Sequence, residues 1–305
     1  MRPLRPPKDS TTGARLWRFQ AGAVEEEADR LATEEPLEIR LIQGERRRTV
    51  AVTMRTPGDD AELALGFLFA ESVVDRRERV LRVEHCPDVE EIGGSCSNIV
   101  EVELDPDGPE PELAPLERHF FTSSACGVCG KAGLEALRVR VSGPLPAGPV
   151  ISPEVLKTLP GRLRERQGLF ETTGGLHAAA LFDASGTLIA LREDVGRHNA
   201  LDKLVGWAFT ENLLPLSEHV VLVSGRSSYE ILQKCLVAGA PIVCAVSAPS
   251  SLAVELAERF GVTLVGFLRG DRFNVYSGAG RVEGLTSGDE PGTRRRRERV
   301  LFPTL

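Results

Sequence analysis

The chain has 305 residues, with 37 Lys and Arg against 44 Asp and Glu, so its formal charge is −7. A chain of this length can bury enough surface to fold without disulfides or metals. Its net acidity argues against a protein that binds nucleic acid mainly by phosphate attraction. No stretch approaches the roughly 20 apolar residues of a membrane helix, and the N-terminus has no apolar signal core. Because six cysteines are too few for a secreted disulfide scaffold, we expect a cytoplasmic protein with reduced thiols, no membrane contact and no nucleic-acid partner.

Residues 1–35 are expected to form a disordered or extended N-terminal arm. They contain three early prolines and the acidic run Glu25 to Glu27. Clusters of this kind usually remain solvated, so we assign this one no function.

Residues 36–125 are predicted to form a small α+β domain. Period-two alternation and turn residues indicate strands, and a Pro-Gly-Asp-Asp break precedes an amphipathic helix. The elements are a β-hairpin formed by 37–42 and 49–53, a helix over 61–70, and strands over 80–84 and 98–104.

The remainder of the chain alternates helices and strands. Right-handed βαβ crossovers favour a layered sheet with helices on both faces, so the fold class is α/β with an α+β first domain. We assign 126–277 to this second domain and 278–305, with its run of four arginines, to a flexible C-terminal tail. Helices are predicted over 152–167, 199–209, 228–237 and 252–260, and strands over 178–182, 187–191, 220–223, 242–246 and 263–267.

A C-x-x-C motif, Cys126 and Cys129, lies in a loop of small residues before a predicted helix. The helix dipole and Lys131 would both lower the pKa of a nearby thiol. Three interpretations remain open from the motif alone: half of a structural zinc site, a thioredoxin-like redox pair, or a cysteine that carries transferable sulfur. The other four cysteines are expected to be packed, namely Cys86, Cys96, Cys235 and Cys244.

Polar segments follow strands or open helices at several places in the second half. In open α/β sheets ligands bind beyond strand ends, and Gly, Ser and Arg at helix N-termini suit phosphate oxygens. These segments therefore indicate a nucleotide-like anionic ligand, although no P-loop is present. The candidate binding residues are Gly174, Gly175, His177, Arg197, His198, Ser224, Gly225, Arg226 and Ser227.

A structural alternative stays open for part of this set. Arg192, Glu193, Asp194 and Arg197 could instead form an ion-pair network within the fold. His177 and His198 could be acid–base groups or simply structural histidines.

Six motifs, which occur along the chain in the same order as in the family, resemble those of the formate dehydrogenase accessory sulfurtransferase family, FdhD, over roughly residues 35–276. The longest is REDVGRHNALDK, from Arg192 to Lys203. The others are SACGVCG at 124–130, TGGLHAA at 173–179, SGRSSYE at 224–230, SAPS at 247–250 and GFLRG at 266–270.

The resemblance implies a function and a fold. Its members accept sulfur from a cysteine desulfurase as a cysteine persulfide. They pass that sulfur to the molybdenum or tungsten bis-molybdopterin guanine dinucleotide cofactor of formate dehydrogenase, without holding a metal directly. The implied second domain is cytidine-deaminase-like, but the deaminase zinc signature is absent here, so deamination is not expected.

The resemblance also implies residue roles and partners. Cys126 would carry the persulfide as a sulfurtransferase, with Cys129 supporting it. The partners would be the desulfurase, the formate dehydrogenase apoenzyme and a second copy of the chain. Two further hypotheses stay open, a cofactor chaperone that only delivers the cofactor and a zinc-stabilised interaction module. The segment that would help to bind the pterin cofactor is Phe267, Leu268, Arg269, Gly270, Asp271 and Arg272.

Overall fold

The computed structural model describes residues 10–86, 98–113 and 143–285. Within these ranges twelve strands form three sheets, and six α-helices accompany them. No helix in the described ranges combines the length and apolar character needed to cross a membrane.

An antiparallel hairpin opens the described chain. Strand β1 (Thr11–Gln20) pairs with β2 (Ala23–Ala32) along its whole length. The two-residue turn has positive φ at both positions, 51° at Ala21 and 85° at Gly22, as a tight hairpin turn requires. From residue 10 onwards, the expected disordered or extended arm is therefore a paired ribbon. The acidic run, expected to be solvated, instead supplies cross-strand partners, Glu26 for Arg15 and Glu27 for Arg18.

The first unit is a four-stranded sheet with one helix, as predicted. Its core face carries the alternating Leu37, Ile39 and Leu41, all buried. The elements are β3 (Glu35–Gln43), β4 (Arg46–Arg55), helix α1 (Asp60–Ala70), β5 (Val80–His85) and β6 (Ile99–Leu104), with the strand order β4-β3-β6-β5. Strands β3 and β6 are parallel and the other neighbours antiparallel.

Helix α1 is more deeply enclosed than the predicted amphipathic helix. Leu63, Leu65 and Leu68 are all buried, and so is Gly66 on a different face of the helix. The sheet covers one side and a helix of the second unit covers the other, because the two units pack directly against each other.

The second unit is a six-stranded mixed sheet in the order β12-β11-β10-β9-β7-β8. Strands β9, β10 and β11 are parallel, and β7 runs antiparallel to both of its neighbours. The elements are α2 (Pro153–Arg164), α3 (Gly168–Thr173), β7 (His177–Asp183), β8 (Leu188–Asp194), α4 (Arg197–Thr210), β9 (His219–Val223), α5 (Tyr229–Val237), β10 (Ile242–Ala245), α6 (Ser251–Phe260), β11 (Thr263–Arg269) and β12 (Arg272–Ser277).

Helices cover both faces of this sheet, which confirms the layered α/β class. Leu204 of α4, Ile231 of α5 and Leu256 of α6 belong to the core on one face. Leu156 and Leu159 of α2 pack on the other. Strand β12 was not predicted, because its half-exposed residues at the sheet edge carry a weak apolar pattern.

A candidate anion site at the strand ends

The beginning of β7 and the end of β9 lie side by side at one edge of the six-stranded sheet. Ser224, just after β9, donates its amide to the carbonyl of Ala178 at 2.9 Å. Its Oγ accepts the amide of Ala178 at 2.9 Å. These two bonds place His177 beside the Ser224-Gly225 turn.

Gly225 brings three of the predicted segments together. A Cβ at this position would lie 3.4 Å from Nδ1 of His177 and 3.7 Å from Cδ of Arg197. The turn after β9, the first residue of β7 and the first turn of α4 therefore line one cleft, which we call the strand-end cleft. It is defined by His177, Arg197, His198, Gly225 and Ser227.

His198 has two polar neighbours from the start of α5. Its Nε2 lies 2.9 Å from Oε2 of Glu230 and 3.4 Å from Oγ of Ser228. Glu230, the last residue of the SGRSSYE string, was not among the predicted site residues. Its position in the first turn of a predicted helix could have indicated that it faces the strand end.

Burial lowers the pKa of His177, and the nearby charges of Arg197 and His198 lower it further. Its imidazole is therefore neutral at pH 7. A neutral ring offers the cleft one donor and one acceptor nitrogen.

Two helices begin at the cleft without a side-chain cap. Gly196, which precedes α4, has no side chain to cap it, and the side chain of Ser228, which precedes α5, does not bond to an N–H of its helix. By contrast, Ser250 caps α6 by accepting the amide of Ala253 at 3.3 Å. The uncapped N-termini of α4 and α5 carry partial positive charge that suits an anion.

Two buried polar atoms of the cleft have no hydrogen-bond partner among the described residues, Nε of Arg197 and Oγ of Ser227. Ser227 is fully buried. An unpartnered buried donor or acceptor costs about 1–3 kcal/mol, so such atoms are unusual unless a ligand satisfies them. A donor set of guanidinium and hydroxyl matches phosphate oxygens.

The segment at the end of β11 is tied to the cleft through one loop. The backbone carbonyl of Ser227 accepts the amide of Ser250 at 2.9 Å, and the backbone carbonyl of Ser247 accepts the amide of Phe267 at 3.0 Å. Phe267 has a φ of 54°, a strained conformation for an aromatic residue that often marks a functional site.

The rest of that segment is divided between core and solvent. The side chain of Leu268 is fully buried, so only its backbone can face a ligand. The Arg269 guanidinium lies 5.7 Å from the ring centre of Phe267. Gly270, Asp271 and Arg272 are exposed at the turn into β12.

Gly174 and Gly175 lie next to the hairpin rather than in the strand-end cleft. Gly174 ends α3 with a φ of 67°. The Cβ position of Gly175 is 4.0 Å from Cβ of Ala32, the last residue of β2. Both glycines are exposed.

Asp194, within the REDVGRHNALDK string, serves the fold. Its Oδ2 accepts the amide of Thr56 at 3.1 Å and pairs with Nζ of Lys203 at 2.8 Å. Its Oδ1 accepts the amide of Gly196 and Nδ2 of Asn199. Lys203 also donates to the carbonyl of Thr56 at 2.8 Å. This buried cluster joins the first unit to the start of α4.

Two further residues of the string are structural. Arg192 bonds Glu62 of α1 at 2.7 Å, and Glu193 accepts the amides of Leu169 and Phe170 at the start of α3. Arg192 and Asp194 are ion-paired within the fold, as the structural alternative expects, and Glu193 accepts backbone amides. Arg197 lies beside Gly225 in the cleft.

Three cysteines are described, and all are buried as predicted. Burial raises the pKa of Cys235 to about 12 and raises that of Cys244 as well. The roles predicted for Cys126 and Cys129, and the packing predicted for Cys96, lie outside the described residues. No group of three or more His, Cys, Asp or Glu side chains in the described ranges is placed to hold a metal ion.

The fold and the cleft together define a layered α/β protein with a candidate anion site at its strand ends. The FdhD/NarQ family model matches residues 32–283, and the chain belongs to that family. It is 50% identical over 274 residues to "Sulfur carrier protein FdhD" of Streptomyces coelicolor, covering 89% of this chain and 95% of the relative. The protein of the same name from Mycobacterium tuberculosis is 50% identical over 278 residues, covering 90% and 99%.

A solved structure also matches. It is described as a formate dehydrogenase accessory protein from Desulfotalea psychrophila, with a TM-score of 0.68 and 25% identity. The match covers 90% of this chain and 99% of that one.

Proposed function

We propose that this chain is a sulfur carrier and sulfurtransferase. It accepts sulfur from a cysteine desulfurase as a persulfide on Cys126 and passes it to the molybdenum or tungsten bis-molybdopterin guanine dinucleotide cofactor of formate dehydrogenase. Relatives named as sulfur carriers and the accessory-protein neighbour support the sulfur-carrier role. The observation that carries the cofactor part is the pair of unpartnered polar atoms, on Arg197 and Ser227, in the strand-end cleft.

Two of the described cysteines, Cys235 and Cys244, are poor candidates for the sulfur-carrying thiol. The thiolate is the nucleophile in sulfur exchange, and burial holds the Cys235 and Cys244 thiols protonated at pH 7. This supports the C-x-x-C pair as the working thiols. The Cys126 thiolate would attack the outer sulfur of the donor's persulfide. A new S–S bond forms on Cys126, the donor's S–S bond breaks, and the donor leaves as a thiolate.

The strand-end cleft fits the nucleotide part of the acceptor cofactor. Phosphate oxygens would be held by Arg197 and by the hydroxyl of Ser227, at the positive ends of the α4 and α5 helix dipoles. Gly225 leaves room between His177 and Arg197, and the neutral His177 can donate one hydrogen bond without adding charge.

The Phe267–Arg272 segment would bind the pterin side of the cofactor. Its strained Phe267 backbone and exposed Arg269 and Arg272 lie one loop away from Ser227. The molybdenum or tungsten ion is part of the substrate and needs no protein ligand. The proposed partners are the desulfurase, the formate dehydrogenase apoenzyme and a second copy of this chain.

Labelled cysteine and a cysteine desulfurase test the sulfur step. Mass spectrometry should find a reducible persulfide on Cys126, and Cys126→Ala should abolish transfer of label to the cofactor while guanosine diphosphate binding persists. Cys235→Ala is the matched control, and Cys129→Ala measures what the supporting thiol contributes to the transfer. If Cys126→Ala still supports full dehydrogenase activation, the chain is a cofactor chaperone and the sulfur-carrier proposal is wrong.

A further inference from the structure

Helices α4 and α5 contact each other through two polar pairs of opposite polarity. His198 and Asp202 are four residues apart on α4, so they lie along one side of that helix. Glu230 and Lys234 are related in the same way on α5. The outer pair is His198 and Glu230, with Nε2 of the ring 2.9 Å from Oε2 of the carboxylate. The inner pair is Lys234 and Asp202, in which Nζ donates to both carboxylate oxygens at 2.7 and 3.0 Å.

The two pairs differ in their access to solvent. The inner pair is closed, because the side chains of Lys234 and Asp202 are only 11% and 4% exposed. The outer pair lies at the strand-end cleft, where the side chains of His198 and Glu230 are 21% and 24% exposed. The inner pair therefore fixes the two helices against each other, whereas the outer pair can meet a ligand.

The Glu230 carboxylate conflicts with an anion site unless its charge is compensated. The other groups of the cleft suit phosphate, namely the Arg197 guanidinium and the buried, unpartnered hydroxyl of Ser227. A carboxylate at the same place repels an anion. An imidazolium at His198 would cancel that charge, and both of its ring nitrogens would then be donors.

Charged groups from three elements surround His198. Arg197 precedes it on α4, and Asp202 lies one turn further along the same helix but is bound by Lys234. From α5 comes the Glu230 carboxylate. From β7 comes His177, whose pKa is lowered by burial and by the charges of Arg197 and His198. A phosphate that enters this cleft offsets the positive charge of Arg197, so its arrival favours a second positive charge on His198.

We propose that His198 and Glu230 bind a phosphate of the ligand as one unit, in which His198 takes up a proton as the anion enters and Glu230 holds the resulting imidazolium. The Nε2 hydrogen is donated to Glu230, and the proton added at Nδ1 provides a second donor for a phosphate oxygen. The proton comes from solvent and returns to it when the anion leaves. Because Glu230 acts through His198, it is a positioning residue. This inference rests on the cofactor site of the proposed function and links its occupancy to proton uptake.

Calorimetric titration of the full chain tests the proton uptake. The probe is guanosine diphosphate mannose, which carries guanosine and a doubly esterified pyrophosphate whose charge does not change near neutral pH. Titrations in buffers of different ionisation enthalpy count the protons taken up for each molecule bound. We expect an uptake of up to one proton, and an affinity that falls by up to about tenfold per pH unit as the pH rises above 7.

Substitutions at the outer pair separate charge compensation from loss of a contact. His198→Gln leaves the Glu230 carboxylate uncompensated beside the anion, so affinity should fall by about tenfold or more and the proton uptake should vanish. Adding Glu230→Gln removes that charge. The double variant should therefore regain most of the lost affinity and bind independently of pH, whereas a merely structural role would leave the loss unrepaired.

Two other histidines serve as controls. His219→Gln should leave affinity and proton uptake unchanged, because His219 is a half-buried histidine at the opposite end of β9 from the cleft. His177→Gln should retain the proton uptake, because the proton goes to His198. Uptake that persists in His198→Gln and disappears in His177→Gln would overturn the proposal.

The remaining outcomes distinguish this inference from the proposed function. Wild-type binding without proton uptake, or a loss in His198→Gln that Glu230→Gln does not repair, would overturn the unit and leave the cofactor site intact. A wild type that does not bind the probe would overturn both the unit and the cofactor site. Persulfide formation on Cys126, measured in the same samples, reports on the sulfur-carrier proposal separately.

Discussion

Gly66 and Gly206 face each other where α1 crosses α4. A methyl group on either residue would come within 2.8 Å of the other's amide nitrogen and would overlap a carbonyl oxygen of the opposing helix. The backbones of the two helices are therefore in direct contact. This crossing joins the four-stranded unit to the helix whose first turn supplies Arg197 and His198 to the strand-end cleft.

Replacing Gly206 by Ala should destabilise the protein strongly. The new Cβ meets backbone atoms of α1, which cannot rotate away, so the helices must separate and open gaps on both sides; overpacking of this kind costs about 1–3 kcal/mol or more. The matched control is Gly161→Ala in α2, where a Cβ meets nothing within 4 Å. That change should stabilise by up to about 1 kcal/mol. Urea unfolding of both variants measures the difference, and equal midpoints would contradict the crossing.

The Lys203–Asp194 pair gives a second stability prediction. Their side chains are only 1% and 0% exposed, so Lys203→Met leaves an uncompensated buried carboxylate, at a cost of about 3–5 kcal/mol. Adding Asp194→Asn should recover a large part of that loss, because no buried charge remains. Thermal or urea unfolding of the single and double variants measures the coupling. Additive effects of the two substitutions would show that the residues do not act as a pair.

The REDVGRHNALDK string shows how far the sequence could be interpreted. Its polarity correctly indicated a special segment where a strand leads into a helix. Asp194 and Arg192 turn into the fold because they bond to Thr56 and Glu62, which lie well over one hundred residues away in the chain. No local pattern reports such partners, so Asp194 could not be separated from Arg197 before the fold was known.

Periodicity was reliable where one face of a strand packs on a core and weak elsewhere. Strands β3 and β4 were predicted because Leu37, Ile39 and Leu41 alternate with polar residues. The β1–β2 hairpin and β12 were missed because none of these strands contains a fully buried residue. His177, Arg197 and Gly225 come from three different polar segments and lie together in the structure, whereas Gly175 lies beside the hairpin.

Removing the unpartnered hydroxyl of Ser227 should weaken nucleotide binding without lowering the stability of the fold. Ser227→Ala deletes a buried polar atom without a hydrogen-bond partner among the described residues, so the free protein should be equally or more stable. Guanosine diphosphate, which carries the base and phosphates of the proposed ligand, should bind about tenfold more weakly, as expected for a lost hydrogen bond to a charged group. Calorimetric titration measures this.

Ser250→Ala is the control for that experiment. It removes the cap of α6 and should cost about 0.5–2 kcal/mol of stability while leaving nucleotide affinity unchanged. Unaltered affinity in Ser227→Ala, or a matching loss in Ser250→Ala, would contradict a role for Ser227 in the anion site.

His177 should make stability depend on pH. Its folded pKa lies below the ordinary 6.5 because of burial and the neighbouring Arg197 and His198. Below pH 6.5 the unfolded chain therefore binds a proton that the folded chain does not. Stability attributable to this group is fully present above pH 6.5 and is lost as pH falls toward the folded pKa. His177→Gln should lose less stability than the wild type between pH 7.5 and 5.5, and equal losses by urea unfolding would refute this.

Alkylation should distinguish the working thiols from the packed ones. The thiolate is the reactive form, and burial raises the pKa of Cys235 to about 12 and that of Cys244 as well. Brief treatment of the folded protein with iodoacetamide at pH 7 should therefore modify Cys126 or Cys129 and spare Cys235 and Cys244. In urea the two packed cysteines should react at ordinary rates, because unfolding removes the burial that protects them. Peptide mass spectrometry quantifies each site, and rapid labelling of Cys235 or Cys244 in the folded chain would contradict the assignment of sulfur transfer to the C-x-x-C pair.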